Sequence, residues 1–242
     1  MSNAIFYGIL SVLPLLAGSF IGAYINFKEK LIGDIAAFGA GALIGALTFG
    51  LMEESFKLGG LDSSVIGFLT GGLVFIIGDF IIIRLGGRGH RRVYNAKRST
   101  GWGIVLAAVL DGLPESVALG ISLALNQKIG LLVLVAIILN NLPEAISSAH
   151  DLKIAKKTPS SIVWVWSTVA IAGFVAVILG YTIFSQISPD ITALFESIAA
   201  GAILAMLAST MMPEAYKESG LNGTLATIFG FIVVFIISKA GM

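Results

Sequence analysis

The chain has no cysteine and only two histidines, His90 and His150. Disulfides and thiolate metal sites are therefore excluded, and a metal bound in the middle of the chain's apolar segments would meet only oxygen ligands. Charge is scarce as well. Charged residues make up 12% of the 242, about half the share of an ordinary soluble domain. No basic stretch precedes the first apolar run, and Ala4–Tyr24 is long enough to cross a bilayer, so no cleavable signal is expected.

What is present in quantity is apolar surface. Hydrophobic residues make up 57% of the chain, in runs of roughly twenty that recur along its length. The fold class expected is an all-α integral membrane protein, with 1–242 forming a single transmembrane domain. Eight spans are read at 4–25, 32–56, 63–84, 102–125, 129–150, 161–184, 191–216 and 221–240. The 29 glycines suit close helix packing, because small residues let helix backbones approach in lipid. Twelve of the 15 Lys and Arg fall in the loops after spans one, three, five and seven; only Lys57, Lys128 and Lys239 lie on the other side. The positive-inside rule then places both termini outside the cytoplasm. The short loops and compact chain suggest a multi-pass protein of a prokaryotic inner membrane. The basic stretch "RLGGRGHRRVYNAKR" reads as a topology determinant lying against lipid headgroups, and no nucleic-acid partner is expected.

Two internal repeats organise the spans. Gly41–Leu61 aligns without gaps on Gly201–Leu221, with Glu54/Glu214, Lys57/Lys217 and Gly60/Gly220 identical. In the same alignment "VFII" at Val74–Ile77 recurs at Val234–Ile237. A shorter repeat relates Leu110–Glu115 to Leu139–Glu144. Both repeats relate oppositely directed spans, so spans one to three are inverted against six to eight, and span four against five. Inverted repeats of this kind mark transporters, with the substrate site near the midplane between them.

The second repeat carries the chemistry. Asp111 and Glu115 are four apart and share one helical face. Asn140, Asn141 and Glu144 stand at the corresponding depth on the next span. Pro114 leaves the Leu110 carbonyl without its helical partner, and Pro143 does the same for Leu139. An unpaired carboxylate at this depth costs at least ~2.5–3.5 kcal/mol on insertion scales. No Lys or Arg stands level with these three acids, so they are either protonated or gathered around a cation. Oxygen ligands favour the harder divalent ions, whereas intrinsic affinity runs toward zinc. The substrate is left among Zn, Mn, Fe, Co and Cd. Glu53 and Glu54 at one end of span two, Ser209 and Glu214 in span seven, and His150 and Asp151 at the end of span five are candidates for the entrance and exit. Trp164 and Trp166 are assigned to the interfacial aromatic belt. Asp79 and Glu196 are assigned no role.

The paired motifs Asp111-Gly112-Leu113-Pro114-Glu115-Ser116 and Asn140-Asn141-Leu142-Pro143-Glu144-Ala145, with Met212-Pro213-Glu214-Ala215 in span seven, resemble those of the ZIP (Zrt/Irt-like) divalent metal transporters. Asp111 stands where the family has His, Gly112 where it has Asn, and Ser209 and Thr210 where it has a His-Glu pair. The resemblance implies metal uptake by alternating access, often as a homodimer, with spans one, four, five and six moving against two, three, seven and eight. It also implies one midplane metal instead of two, because a second would need a span-six glutamate and that region reads Ala172-Gly173. The alternative is a non-transporting receptor or scaffold that keeps the fold. An enzyme is not expected, since neither Gly-x-Ser-x-Gly nor His-Glu-x-x-His occurs.

Overall fold

Long apolar runs satisfy their backbone groups internally by folding as helices, the arrangement a lipid environment demands. The structure, a computed structural model, describes residues 2–84 and 101–241, without the side chains of 101–107 and 241. His90 and nearly all of the basic stretch lie outside the described residues. The helices are α1 (Ser2–Tyr24), α2 (Glu29–Ala46), α3 (Glu53–Arg84), α4 (Gly101–Leu125), α5 (Gln127–Ile154), α6 (Pro159–Phe184), α7 (Pro189–Met206), α8 (Met212–Ser219) and α9 (Leu221–Gly241). Two π-helical turns, Leu47–Met52 and Leu207–Met211, join α2 to α3 and α7 to α8. Local sequence sets several of the starts. The Asn126 side chain accepts from the Lys128 amide at 3.0 Å, and Thr158 caps α6 ahead of Pro159.

Among the described residues, seven helical stretches are long and apolar enough to cross a membrane, including the 56-residue stretch Glu29–Arg84. That stretch is not straight. Gly60 has φ 72° and ψ −173°, and Ser55 Oγ lies 3.2 Å from Ser64 Oγ. Nine residues of continuous helix would separate those atoms by about 13 Å along the axis, so the chain folds back at Gly60. Gly220, at φ 59°, ends α8 in the corresponding place of the repeat. The π turns match as well, since Leu47 and Leu207 open them at equivalent positions.

The helices sort into two packed groups. Within the first, α1 packs on α5 and α6, and α4 packs on α6; within the second, α3 packs on α7 and α2 packs on α9 and α8. The groups meet through α2 against α5 and α4 against α7, two contacts related by the inverted repeat. Glycine creates the close approaches. A Cβ on Gly41 would collide with the Thr227 carbonyl of α9, and one on Gly201 with the Phe68 carbonyl of α3. Gly18 and Gly22, one turn apart, seat α1 against Ala145 and Ala149 of α5.

Candidate metal site

Pro114 and Pro143 sit inside α4 and α5 without ending either helix. Around them the structure brings Glu115, Asn140 and Glu144 into one buried cluster. Asn140 Nδ2 donates to Glu115 Oε1 at 3.1 Å and to Glu144 Oε2 at 3.3 Å. One carboxamide thus bridges two carboxylates on neighbouring helices. Asp111, a turn before Glu115 on α4, is buried too. Two polar atoms in the cluster are buried with no hydrogen-bond partner, Glu115 Oε2 and Asn140 Oδ1.

The second helix group supplies the back wall. A Cβ built on Gly39 of α2 would lie 3.0 Å from Asn140 Cα, 3.1 Å from Asn140 Oδ1 and 3.1 Å from the Leu139 carbonyl oxygen. That carbonyl is the one Pro143 deprives of its helical partner. Both oxygens therefore face a helix that has no side chain at this point.

The remaining expected site residues are dispersed. Asn141 is next to the cluster, but its Nδ2 donates to the Ser11 carbonyl of α1 at 2.8 Å; it ties α5 to α1. Glu53 is ion-paired with Lys57 at 2.8 Å on an exposed turn, and Glu54 lies beside it, half-buried. Ser209 Oγ, in the second π turn, donates to the Met206 carbonyl at the end of α7, and that turn packs against α2. Glu214 is half-buried on α8, and His150 and Asp151 lie near the C-terminal end of α5, with Asp151 buried. Among the described residues, no three His, Asp or Glu side chains gather closely enough to hold a metal by themselves. The assembled set is two carboxylates and a carboxamide.

Two residues depart from the sequence reading. Trp164 is 68% exposed, as a belt residue should be, but Trp166 is 1% exposed and lies inside the first helix group. Two residues along a helix turn the side chain by about 200°, so the pair faces opposite ways. Glu196, assigned no role, is completely buried on α7 and accepts from Ser122 Oγ of α4 at 2.8 Å. No local motif announces this pair, which joins the two helix groups across 74 residues of sequence.

A search of curated proteins finds no match. A comparison with protein families matches residues 85–238 to the ZIP zinc transporter family, a range that holds both Pro-Glu motifs, the whole central cluster and the second π turn. The chain belongs to the ZIP zinc transporter family.

Proposed function

We propose that the chain carries a divalent metal cation across the membrane, with Glu115, Glu144 and Asn140 as its ligands and Asp111 one turn away on the same face. The observation that carries this reading is the Asn140 carboxamide held between two buried carboxylates. Turning that carboxamide over exchanges Nδ2 for Oδ1, and three oxygens then converge where a donor N–H now sits. Oxygen sets of this kind take Mn²⁺, Fe²⁺, Co²⁺ or Cd²⁺ as well as the zinc of the family's name. Asn141 serves the site by fixing α5 against α1.

Counting the two arms of Glu29–Arg84 separately gives eight crossings. The partition of Lys and Arg then places both termini outside a prokaryotic cytoplasmic membrane, and the likeness to the metal-uptake family makes the transport an uptake. The chain acts as a single transporter domain, moving its two helix groups against each other. Glu54 and Glu196 mark the outer approach, and His150 and Asp151 the cytoplasmic side.

The test is metal uptake into proteoliposomes loaded with a metal-sensitive dye, with each ion presented separately. Glu115→Ala/Glu144→Ala is expected to reduce flux to that of empty liposomes. Flux that persists in this double variant would place the path elsewhere. A folded, inserted wild-type protein that moves none of the ions would point to the receptor or scaffold alternative.

A further inference from the structure

Beside Glu144 a second, small space opens between α1, α4, α5 and α6, mostly apolar with a few polar groups in its wall. Glu144 lines it; Glu115 and Asn140 do not. Its other polar walls are Ser116, Asn141 and Trp166, and it reaches Gly112 and Gly173. Glycine keeps it open: a Cβ on Gly112 would find no atom nearer than Val169 Cγ1 at 4.0 Å. There is room for about one water molecule.

The donors around this space are not equally engaged. Ser116 Oγ donates to the Gly112 carbonyl at 2.9 Å, and Asn141 Nδ2 to the Ser11 carbonyl at 2.8 Å. Trp166 is 1% exposed, lines the cavity, and its Nε1 has no partner. An indole N–H donates only, so it needs an acceptor, and a water between it and a carboxylate meets the requirement for two or more polar partners.

We propose that this cavity is a hydration site in which one water accepts from Trp166 Nε1–H and donates to the Glu144 carboxylate. Trp166 is then a positioning residue. It acts through the water to fix which oxygen of Glu144 is turned toward the cation. The inference rests on Glu115, Asn140 and Glu144 being the cation site, and it extends the site into the first helix group. Outer partners of this kind orient the ligand, and their loss typically costs 10–100-fold in metal affinity.

The experiment is Co²⁺ titration of the full chain in nanodiscs, following the visible d–d bands, whose position and intensity report coordination geometry. Trp102→Phe/Trp164→Phe leaves Trp166 as the remaining tryptophan of three. Replacing it there with benzothienylalanine keeps the shape and exchanges the N–H for sulfur. A second variant, Gly112→Ala in the otherwise native chain, places a methyl group in the water's space. Each is expected to weaken Co²⁺ binding by ~10–100-fold and to shift the bands, with unchanged circular dichroism. Native affinity and bands in both variants would overturn the proposal while leaving the cation site standing. Co²⁺ binding that survives Glu115→Ala/Glu144→Ala would instead remove the cation site itself. The two failures therefore read differently.

Discussion

A methyl group on Gly39 would press on the Asn140 main chain, on Asn140 Oδ1 and on the Leu139 carbonyl at once. Contacts of 3.0–3.1 Å are tight enough that the neighbours must give way, and the neighbours here are backbone and the bridging carboxamide. Gly39→Ala is expected to displace Asn140 and weaken Co²⁺ or Zn²⁺ binding by on the order of tenfold, with the chain still folded; metal titration beside a thermal melt checks both halves. Native affinity in Gly39→Ala would show that Asn140 is not held from α2. At this scale the sequence is informative about depth and poor about direction. Glu115, Asn140 and Glu144 are legible because a proline four residues after a carbonyl and a carboxylate in an apolar span are unusual in themselves. Trp166 misleads because its place near a span end fits the belt, while its inward face depends on rotation about the helix axis. Glu196 gives no signal because its hydroxyl partner is on another helix.

Among the elements, the repeat is legible where it bends the chain and less so where it packs. Gly60 and Gly220 are equivalent in the repeat, and both have positive φ. Beyond them the register slips. Gly201 meets the carbonyl of Phe68 while Gly41 meets that of Thr227, and Gly71 meets Ile198 while Gly230 meets Phe38. Counted from the two bends, Phe68 should correspond to Ile228 and Gly71 to Phe231. The packing pairs them instead with Thr227 and Gly230. One residue is thus missing between Gly220 and Thr227, in the first turns of α9, and the "VFII" match, which keeps the register of the bends, is coincidence. Two substitutions separate the causes at work. Gly60→Ala meets no atom within 4 Å, yet its φ and ψ suit only glycine; it is expected to cost about 1–3 kcal/mol through backbone strain alone. Gly41→Ala keeps a helical backbone but drives a Cβ into the Thr227 carbonyl, and is expected to part α2 from α9. Denaturant or SDS titration should show both losses. Only Gly41→Ala should also increase labelling of cysteines placed along the α2–α9 seam, and equal labelling in the two variants would contradict this assignment.

Taken whole, the molecule is two helix groups that share a seam, with the Glu115–Asn140–Glu144 cluster built on the first and walled by the second at Gly39. A cation held there reaches opposite sides of the membrane only if the seam opens first on one side and then on the other. Ser122 and Glu196 cross the seam through a hydrogen bond between α4 and α7. Glu196 is wholly buried there, so opening the seam at this point must expose it. Ser197 Oγ and the Ser63 carbonyl, 3.2 Å apart, join α7 to α3 within the second group. Because the chain has no cysteine, pairs of introduced thiols can be bridged by a short bifunctional reagent without background. Bridging Ser122→Cys/Glu196→Cys is expected to stop metal flux, with recovery when a cleavable bridge is reduced. The same bridge across Ser63→Cys/Ser197→Cys should leave flux near its unbridged value, since those helices travel together. The unbridged Ser122→Cys/Glu196→Cys protein supplies the baseline for loss of Glu196 itself. If that pair transports equally well bridged and unbridged, α4 and α7 do not separate during the cycle. The cation would then have to pass through a fixed structure, and the two groups would be a consequence of the repeat with no part in the motion.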